Sequence, residues 1–202
     1  MSLIGLCGFA GAGKDTVGAY LVSEHGYVKV AFADPLKDVV SSIFGWDRAM
    51  MDGVTPEDRK FRETVDPWWT EAVGKTITPR NQMQLWGTDI GRKMFHPKLW
   101  ILAVRRKVEK LLAEGKKVVV TDCRFVDECE MIRELGGKLC RIHREYPPWY
   151  DIALYTPELM FIKHPTVHQS EYDCIRVITD HILCNDGSVE ALHEKVAALI
   201  EN

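Results

Sequence analysis

LIGLCGFAGAGKDT, Leu3 to Thr16, is the stretch whose reading decides the fold. It opens on an apolar run, Leu3 to Cys7, short enough to be one buried strand. A glycine-rich bend follows, GFAGAGKDT from Gly8 to Thr16, and a segment of helical period, Asp15 to Glu24, begins inside it. Three glycines let a backbone wrap around phosphate oxygens with its N–H groups turned inward. The dipole of the helix that follows adds positive potential, and Lys14 adds a mobile cation for the β and γ phosphates. The order of strand, bend, lysine and helix therefore points to a nucleoside triphosphate site, with Gly11, Ala12, Gly13, Lys14, Asp15 and Thr16 as its wall. In the pattern this resembles, a Ser or Thr hydroxyl that meets magnesium usually stands directly after the lysine. Here Asp15 takes that place and the hydroxyl comes one residue later, at Thr16. Thr16 is assigned to the phosphates and their metal, and Asp15 to a water-mediated metal contact.

Outward from this motif, short apolar runs alternate with longer helical segments, the pattern of a parallel sheet flanked by helices. Strands are predicted at Leu3 to Cys7, Tyr27 to Phe32, Lys117 to Thr121, Lys138 to His143 and Asp180 to Cys184. Helices are predicted at Asp15 to Glu24, Pro35 to Phe44, Pro79 to Lys93, Pro97 to Ala113, Val126 to Leu135 and Ser188 to Ile200. The expected fold is α/β, a five-stranded parallel sheet in a single domain over 1–202. Two segments escape the alternation. Trp46 to Thr78 reads as an insertion on the acceptor side, and 144–172, with Pro147-Pro148, as a lid region.

Composition narrows the function classes. The 202 residues are 46% hydrophobic and 27% charged, and 26 Lys plus Arg against 29 Asp plus Glu leave a formal charge of -3. That excludes disorder, collagen and a basic nucleic-acid platform, so no direct nucleic-acid binding is expected. The six cysteines are scattered with no C-x-x-C pair, which fits free thiols in a reducing compartment. His164 and His168 have ligand-like spacing but no Cys nearby, and zinc is not expected. No apolar run approaches the roughly 18 residues of a membrane span.

A triphosphate site needs partners. VVVTD, Val118 to Asp122, ends an apolar strand in a carboxylate at the edge where open α/β sheets bind ligands, and this nominates Asp122 for the metal. Its alternative is to cap the helix that begins at Val126. Two residues on, Arg124 could supply charge to the transferred phosphoryl group. FADPLK, Phe32 to Lys37, sets Asp34 after the second strand, where it could orient the acceptor or take its proton, with Lys37 pairing with an anionic group. Asp34 could equally cap the helix that Pro35 starts. In PRNQMQLWGTDIGRKMF, Arg80, Gln84, Thr88 and Arg92 recur every four residues and would share one helix face, suited to a base edge and a phosphate or simply to solvent. Trp86 reads as core; Trp68 and Trp69 could shape a base pocket.

Taken together these segments resemble the deoxynucleoside monophosphate kinases of tailed bacteriophages. The matching pieces are GFAGAGKDT, FADPLK, PRNQMQLWGTDIGR with HPKLW, TDCRFVDE, HQSE at His168 to Glu171, and CNDGSVEALHEKV, in order along nearly the whole chain. At Val126-Asp127 the chain departs from the Pro-Asn that relatives often carry. The resemblance implies a P-loop kinase fold that moves the γ-phosphoryl group of ATP, with magnesium, onto a deoxynucleoside monophosphate in the cytoplasm, the host's if the protein is phage-encoded. It implies Lys14, Asp34 and Arg124 as catalytic residues. Asp34, Lys37, Arg80, Gln84, Thr88 and Arg92 would line the acceptor side, and Asn185 would open a loop against the donor base, unless Asn-Asp-Gly is only a turn. Arg141, Arg144 and Lys163 could close as lid cations or be surface charges. Exposed aromatics could serve a homodimer. Two other readings compete: a small-molecule P-loop kinase resembling dephospho-coenzyme A kinase, and a nucleotide-gated binding protein, although the Asn-Lys-x-Asp motif of a guanine-specific switch is absent.

Overall fold

The computed structural model describes residues 1–201. Five strands, β1 (Leu3–Cys7), β2 (Tyr27–Val30), β3 (Lys117–Cys123), β4 (Lys138–His143) and β5 (His181–Cys184), form one sheet in the order β2-β3-β1-β4-β5, with every pairing parallel. All five residues of β1 are buried, as its unbroken apolar run requires of a central strand covered on both faces. Two predicted strands run long, Tyr27 to Phe32 and Asp180 to Cys184, whereas β3 continues two residues past its predicted end and so holds Asp122 within the strand.

The chain packs as two compact units, Met1–Ala31 with the chain from Arg105 onward, and Phe32–Val104. The first holds the sheet together with α1 (Lys14–His25). The second contains α2 (Asp34–Phe44), a 3-10 turn (Met50–Asp52), α3 (Pro56–Glu63), α4 (Pro67–Val73), α5 (Pro79–Gln84) and a π-helix (Leu85–Phe95). Through α6 (Leu99–Ala113) the chain returns to the first unit, where α7 (Val126–Glu134), α8 (Tyr150–Tyr155), α9 (Met160–Lys163) and α10 (Val189–Glu201) complete it. On one sheet face Ile4, Leu6, Val119, Ile142 and Leu183 are buried in one core with Val17 and Leu21 of α1 and Leu192 and Val196 of α10. No helix among the described residues is long and apolar enough to cross a membrane.

In the second unit the excursion at 46–78 is helical. Each of its helices starts on a capping residue followed by proline. The Thr55 hydroxyl accepts from the Asp58 amide at 3.1 Å, and the Asp66 carboxylate accepts from the Trp69 amide at 3.0 Å. Asp66 also accepts from the Trp46 indole at 2.7 Å, while the Trp69 indole donates to the Phe44 carbonyl at 3.0 Å. Trp46 and Trp69 are therefore structural, and Trp68, 67% exposed, is the indole left on the surface. The Trp69 amide and then the Trp46 indole hold the Asp66 carboxyl below the ordinary aspartate range. A depressed folded pKa contributes stability that is present above the unfolded value of about 4 and is lost as pH falls through the folded one. Asp66→Ala should accordingly cost about 1–2 kcal/mol at neutral pH and less at pH 2. Denaturant melts followed by tryptophan fluorescence at the two pH values check this.

The predicted helix Pro79 to Lys93 divides at Leu85, where α-helical hydrogen bonding gives way to π. The His96 amide reaches back five residues to the Gly91 carbonyl at 3.0 Å. Large side chains press on its inner face. A Cβ on Gly87 would lie 2.9 Å from Leu36 Cδ2 and one on Gly91 2.8 Å from Trp100 Cζ2, and the Trp100 indole donates to the Gly87 carbonyl at 2.9 Å. Four residues overshoot an α turn of 3.6 but undershoot the wider π turn, so the opposite drifts cancel. The four-residue stripe thus survives the change of helix type: Arg80, Gln84 and Thr88 are exposed and Arg92 half-buried, while Gln82, Gly87 and Gly91 are buried.

Candidate active site

In the first unit the bend between β1 and α1 is shaped by backbone that only glycine adopts easily. Gly8 has φ +139°, Gly11 +75° and Gly13 +106°. Gly13 occupies the N-cap of α1 and no side chain caps that end, so the amides that open the helix are free of a side-chain competitor for an anion. A Cβ on Gly8 would sit 2.2 Å from the Ile142 carbonyl oxygen of β4. Gly8→Ala should therefore cost about 1–3 kcal/mol and weaken nucleotide binding together with stability; thermal melts with and without nucleotide measure both.

Lys14 opens α1 and its ammonium curls back over the bend, donating to the Gly8 carbonyl at 2.7 Å and the Phe9 carbonyl at 2.8 Å. Burial and then the neighbouring Arg124 guanidinium push its pKa below the ordinary lysine value, while Glu171 and Asp15 pull the other way. Two cations thus stand close together at the cradle. Arg124 itself donates to the Glu171 carboxylate, which gives HQSE a physical role that its spacing did not reveal. Asp15 is turned to solvent, its side chain 89% exposed and paired with Lys29 at 3.4 Å. Thr16 is half-buried in the first turn of α1.

Asp122 lies in β3, two residues before Arg124. The amides that open α7 are taken by other groups: buried Glu128 accepts from Arg124 and Phe125 at 2.8 and 3.1 Å, and Asp173 accepts from Val126 at 2.9 Å. The capping alternative for Asp122 is thereby filled by Glu128 and Asp173. On the β5 side, the Asn185 amide donates to the Ala12 carbonyl at 2.9 Å, and a Cβ on Gly13 would lie 2.5 Å from its Nδ2. Asn185 is thus a brace for the cradle.

The segment 144–172 has a small core of its own. Ala153 and Met160 pack with Ile175, and Phe9 of the bend meets Trp149 and Tyr150 edge-on at 5.4 and 5.9 Å. Arg144 and Lys163 are exposed on it. Arg141 behaves differently from a lid cation. It is on β4, and its guanidinium donates to the backbone carbonyls of Ile175, Cys174 and Val177 at 2.8, 3.1 and 2.8 Å. Its charge pins 174–177 to the sheet, because three backbone carbonyls, of which that of Cys174 also accepts from the Val177 amide at 3.1 Å, converge on one strand side chain.

The second unit gathers several of the candidate acceptor residues and adds two the sequence reading missed. Asp34 is the first residue of α2, an acidic side chain in its first turn, with Ala33 at the N-cap. Arg48 donates to Asp34 at 3.2 Å, Asp38 at 2.5 Å and Asp52 at 2.9 Å, and Lys37 donates to the same Asp52 oxygen at 2.8 Å. On α5, Arg80 donates to Glu63 at 2.7 Å. Burial and then Arg80 lower the pKa of Arg62, whose Nε is buried without a hydrogen-bond partner.

Among the described residues no group of three or more His, Cys, Asp or Glu side chains could hold a metal ion. The donor set, one hydroxyl at Thr16 and one carboxylate at Asp122, fits magnesium that arrives on phosphates and keeps most of its water.

The family described as Deoxynucleotide monophosphate kinase matches residues 70–152. A proposed deoxynucleotide monophosphate kinase of Acanthamoeba polyphaga mimivirus is 28% identical over 212 aligned positions, covering 100% of this chain and 97% of its own. The chain is similar to the deoxynucleotide monophosphate kinases. The deoxynucleoside-5'-monophosphate kinase of Escherichia phage T5 is 25% identical across 65% of this chain and 72% of its own length. Among solved structures, the dephospho-CoA kinase of Campylobacter jejuni aligns over 99% of this chain and 96% of its own, at 12% identity and a TM-score of 0.48. The span shared with the deoxynucleotide monophosphate kinase family takes in α5, the π-helix, Asp122 and Arg124, and leaves out Gly8 to Thr16. The family match thus falls on a part of the chain outside the generic phosphate cradle.

Proposed function

We propose that the protein transfers the γ-phosphoryl group of ATP to a deoxynucleoside 5'-monophosphate, giving the diphosphate and ADP. The observation that carries this reading is the joining, in one chain, of a lysine-bearing phosphate cradle to the 70–152 segment shared with the deoxynucleotide monophosphate kinases. The amides of Gly11 to Thr16 bind the donor phosphates, and Lys14 leaves its two carbonyls for them. Arg124 lies against the equatorial oxygens of the moving phosphoryl group, where positioned cations do most of the catalytic work. A phosphate monoester has a second pKa near 6, so the acceptor arrives already ionised and its oxygen needs no base to attack. Asp34 therefore orients the acceptor by taking a hydrogen bond from one of its hydroxyl or amino groups, and Lys37 meets its phosphate. The attacking oxygen forms a bond to the γ phosphorus as the bond to the bridging β–γ oxygen breaks, and the electron pair leaves on ADP. Thr16 and Asp122 would hold magnesium that arrives on the phosphates, and the ion would supply positive charge to offset that of the transferred group. Arg80, Gln84, Thr88 and Arg92 give the acceptor side its amide and guanidinium forks. Arg144 and Lys163 are the cations of the 144–172 segment available to exclude water during transfer.

The experiment is a panel of the common deoxynucleoside monophosphates, their ribose counterparts and dephospho-coenzyme A, each with ATP and magnesium and read by product chromatography. Diphosphate formed from at least one deoxynucleoside monophosphate supports the reading. Transfer to dephospho-coenzyme A alone, or ATP hydrolysis at one slow rate whatever acceptor is present, overturns it in favour of a different small-molecule kinase or a nucleotide switch.

A further inference from the structure

Arg48 stands in a charged turn with no motif around it. Its environment is nevertheless the most organised ionic cluster of the second unit. Asp34 and Asp38 are four residues apart on one face of α2, and Asp52 returns from the 3-10 turn to stand with them. The guanidinium spends a different N–H direction on each: Nη2 on Asp34, Nε on Asp38 and Nη1 on Asp52. Lys37, its side chain only 15% exposed, closes the cluster on the Asp52 oxygen that Arg48 also holds. Three carboxylates thus face two cations, and one planar fork sets the positions of all three.

We propose that Arg48 is a positioning residue for the acceptor: it aims Asp34 directly and, by sharing Asp52, keeps Lys37 from collapsing onto the Asp34 carboxylate. This rests on the reading that Asp34 and Lys37 hold the acceptor. A half-exposed ion pair contributes little to stability, so the cluster's worth should appear in function rather than in the melt. A misplaced orienting group can cost about a hundredfold without touching the chemistry. A lysine at position 48 would keep the charge but lose the fork that reaches three carboxylates at once.

The test is a double-mutant cycle between Arg48→Gln and Asp34→Asn, with kcat and both KM values measured at saturating partner substrate. Arg48→Gln should lower kcat/KM for the deoxynucleoside monophosphate about 10–100-fold and leave KM for ATP within about twofold. The double variant should be no worse than Asp34→Asn alone, because Arg48 then has nothing left to aim. Arg48→Lys should recover less than half of the loss on a logarithmic scale, and Asp38→Asn, which removes the arm unconnected to the acceptor, should stay within about threefold of wild type. Additive losses in the cycle, an equal rise in both KM values, or an Asp38→Asn loss as large as that of Arg48→Gln each overturn the proposal. If Arg48→Gln does not fold, the same cycle is run with Arg48→Lys and the same criteria apply. Asp34→Asn with wild-type turnover would instead sink the acceptor reading on which the proposal stands, and the single variant reports that separately.

Discussion

Lys14→Ala is expected to lose about a thousandfold or more in turnover while its circular dichroism and melting temperature stay close to wild type. The ammonium donates to two loop carbonyls, Gly8 and Phe9, and to no other group among the described residues. Removing it opens those carbonyls to water at small cost, because they belong to a partly exposed bend. In the reaction the same charge should meet developing negative charge on the β and γ oxygens, where no other side chain of the bend can replace it. The variant is therefore a test of chemistry rather than of folding. Turnover within about tenfold of wild type would remove Gly8 to Thr16 from the active site.

The second large effect is expected at Arg124. The protein keeps this guanidinium beside Lys14, whose pKa is lowered first by burial and then by repulsion from Arg124. Glu171 offsets part of that repulsion and a bound triphosphate would offset the rest. Arg124→Ala should thus reduce kcat by about 10³–10⁵, the range for an arginine that stabilises a transferred phosphoryl group, without lowering the melting temperature of the nucleotide-free protein. Glu171→Gln should be much milder, about tenfold, since it loosens the aim of Arg124 and leaves its charge. Nucleotide should raise the melting temperature of the wild type more at low salt than at high salt, because the cradle's excess positive charge is screened. An Arg124→Ala protein with wild-type kcat, or one that unfolds at lower temperature with its kcat unchanged, would reduce Arg124 to a structural partner of Glu171.

Part of the second unit is legible in the sequence. Thr55-Pro56 and Asp66-Pro67 have the form of Thr78-Pro79, a capping residue followed by a proline that suits the first helical turn. The charge and tryptophans of 46–78 obscured that signal, since α3 and α4 are short and bury no complete apolar stripe. The π-helix had no such local mark. It depends on Leu36 and Trp100 pressing on Gly87 and Gly91, contacts that the spacing of Arg80, Gln84, Thr88 and Arg92 cannot reveal.

What the chain dictates locally it dictates well. The run Leu3–Cys7, the glycines and lysine after it, and the apolar strand carrying Asp122 needed only short-range rules, because a strand's burial and a glycine's backbone freedom belong to consecutive residues. Partnerships were another matter. That Glu128 and Asp173 cap α7, that Asn185 braces the bend and Arg141 pins 174–177, that Glu171 holds Arg124, and that Arg48 gathers three aspartates were decided only when distant segments met. The physical reason is that a polar side chain's role is set by which donors and acceptors lie within about 3 Å of it, and those come from residues tens of positions away.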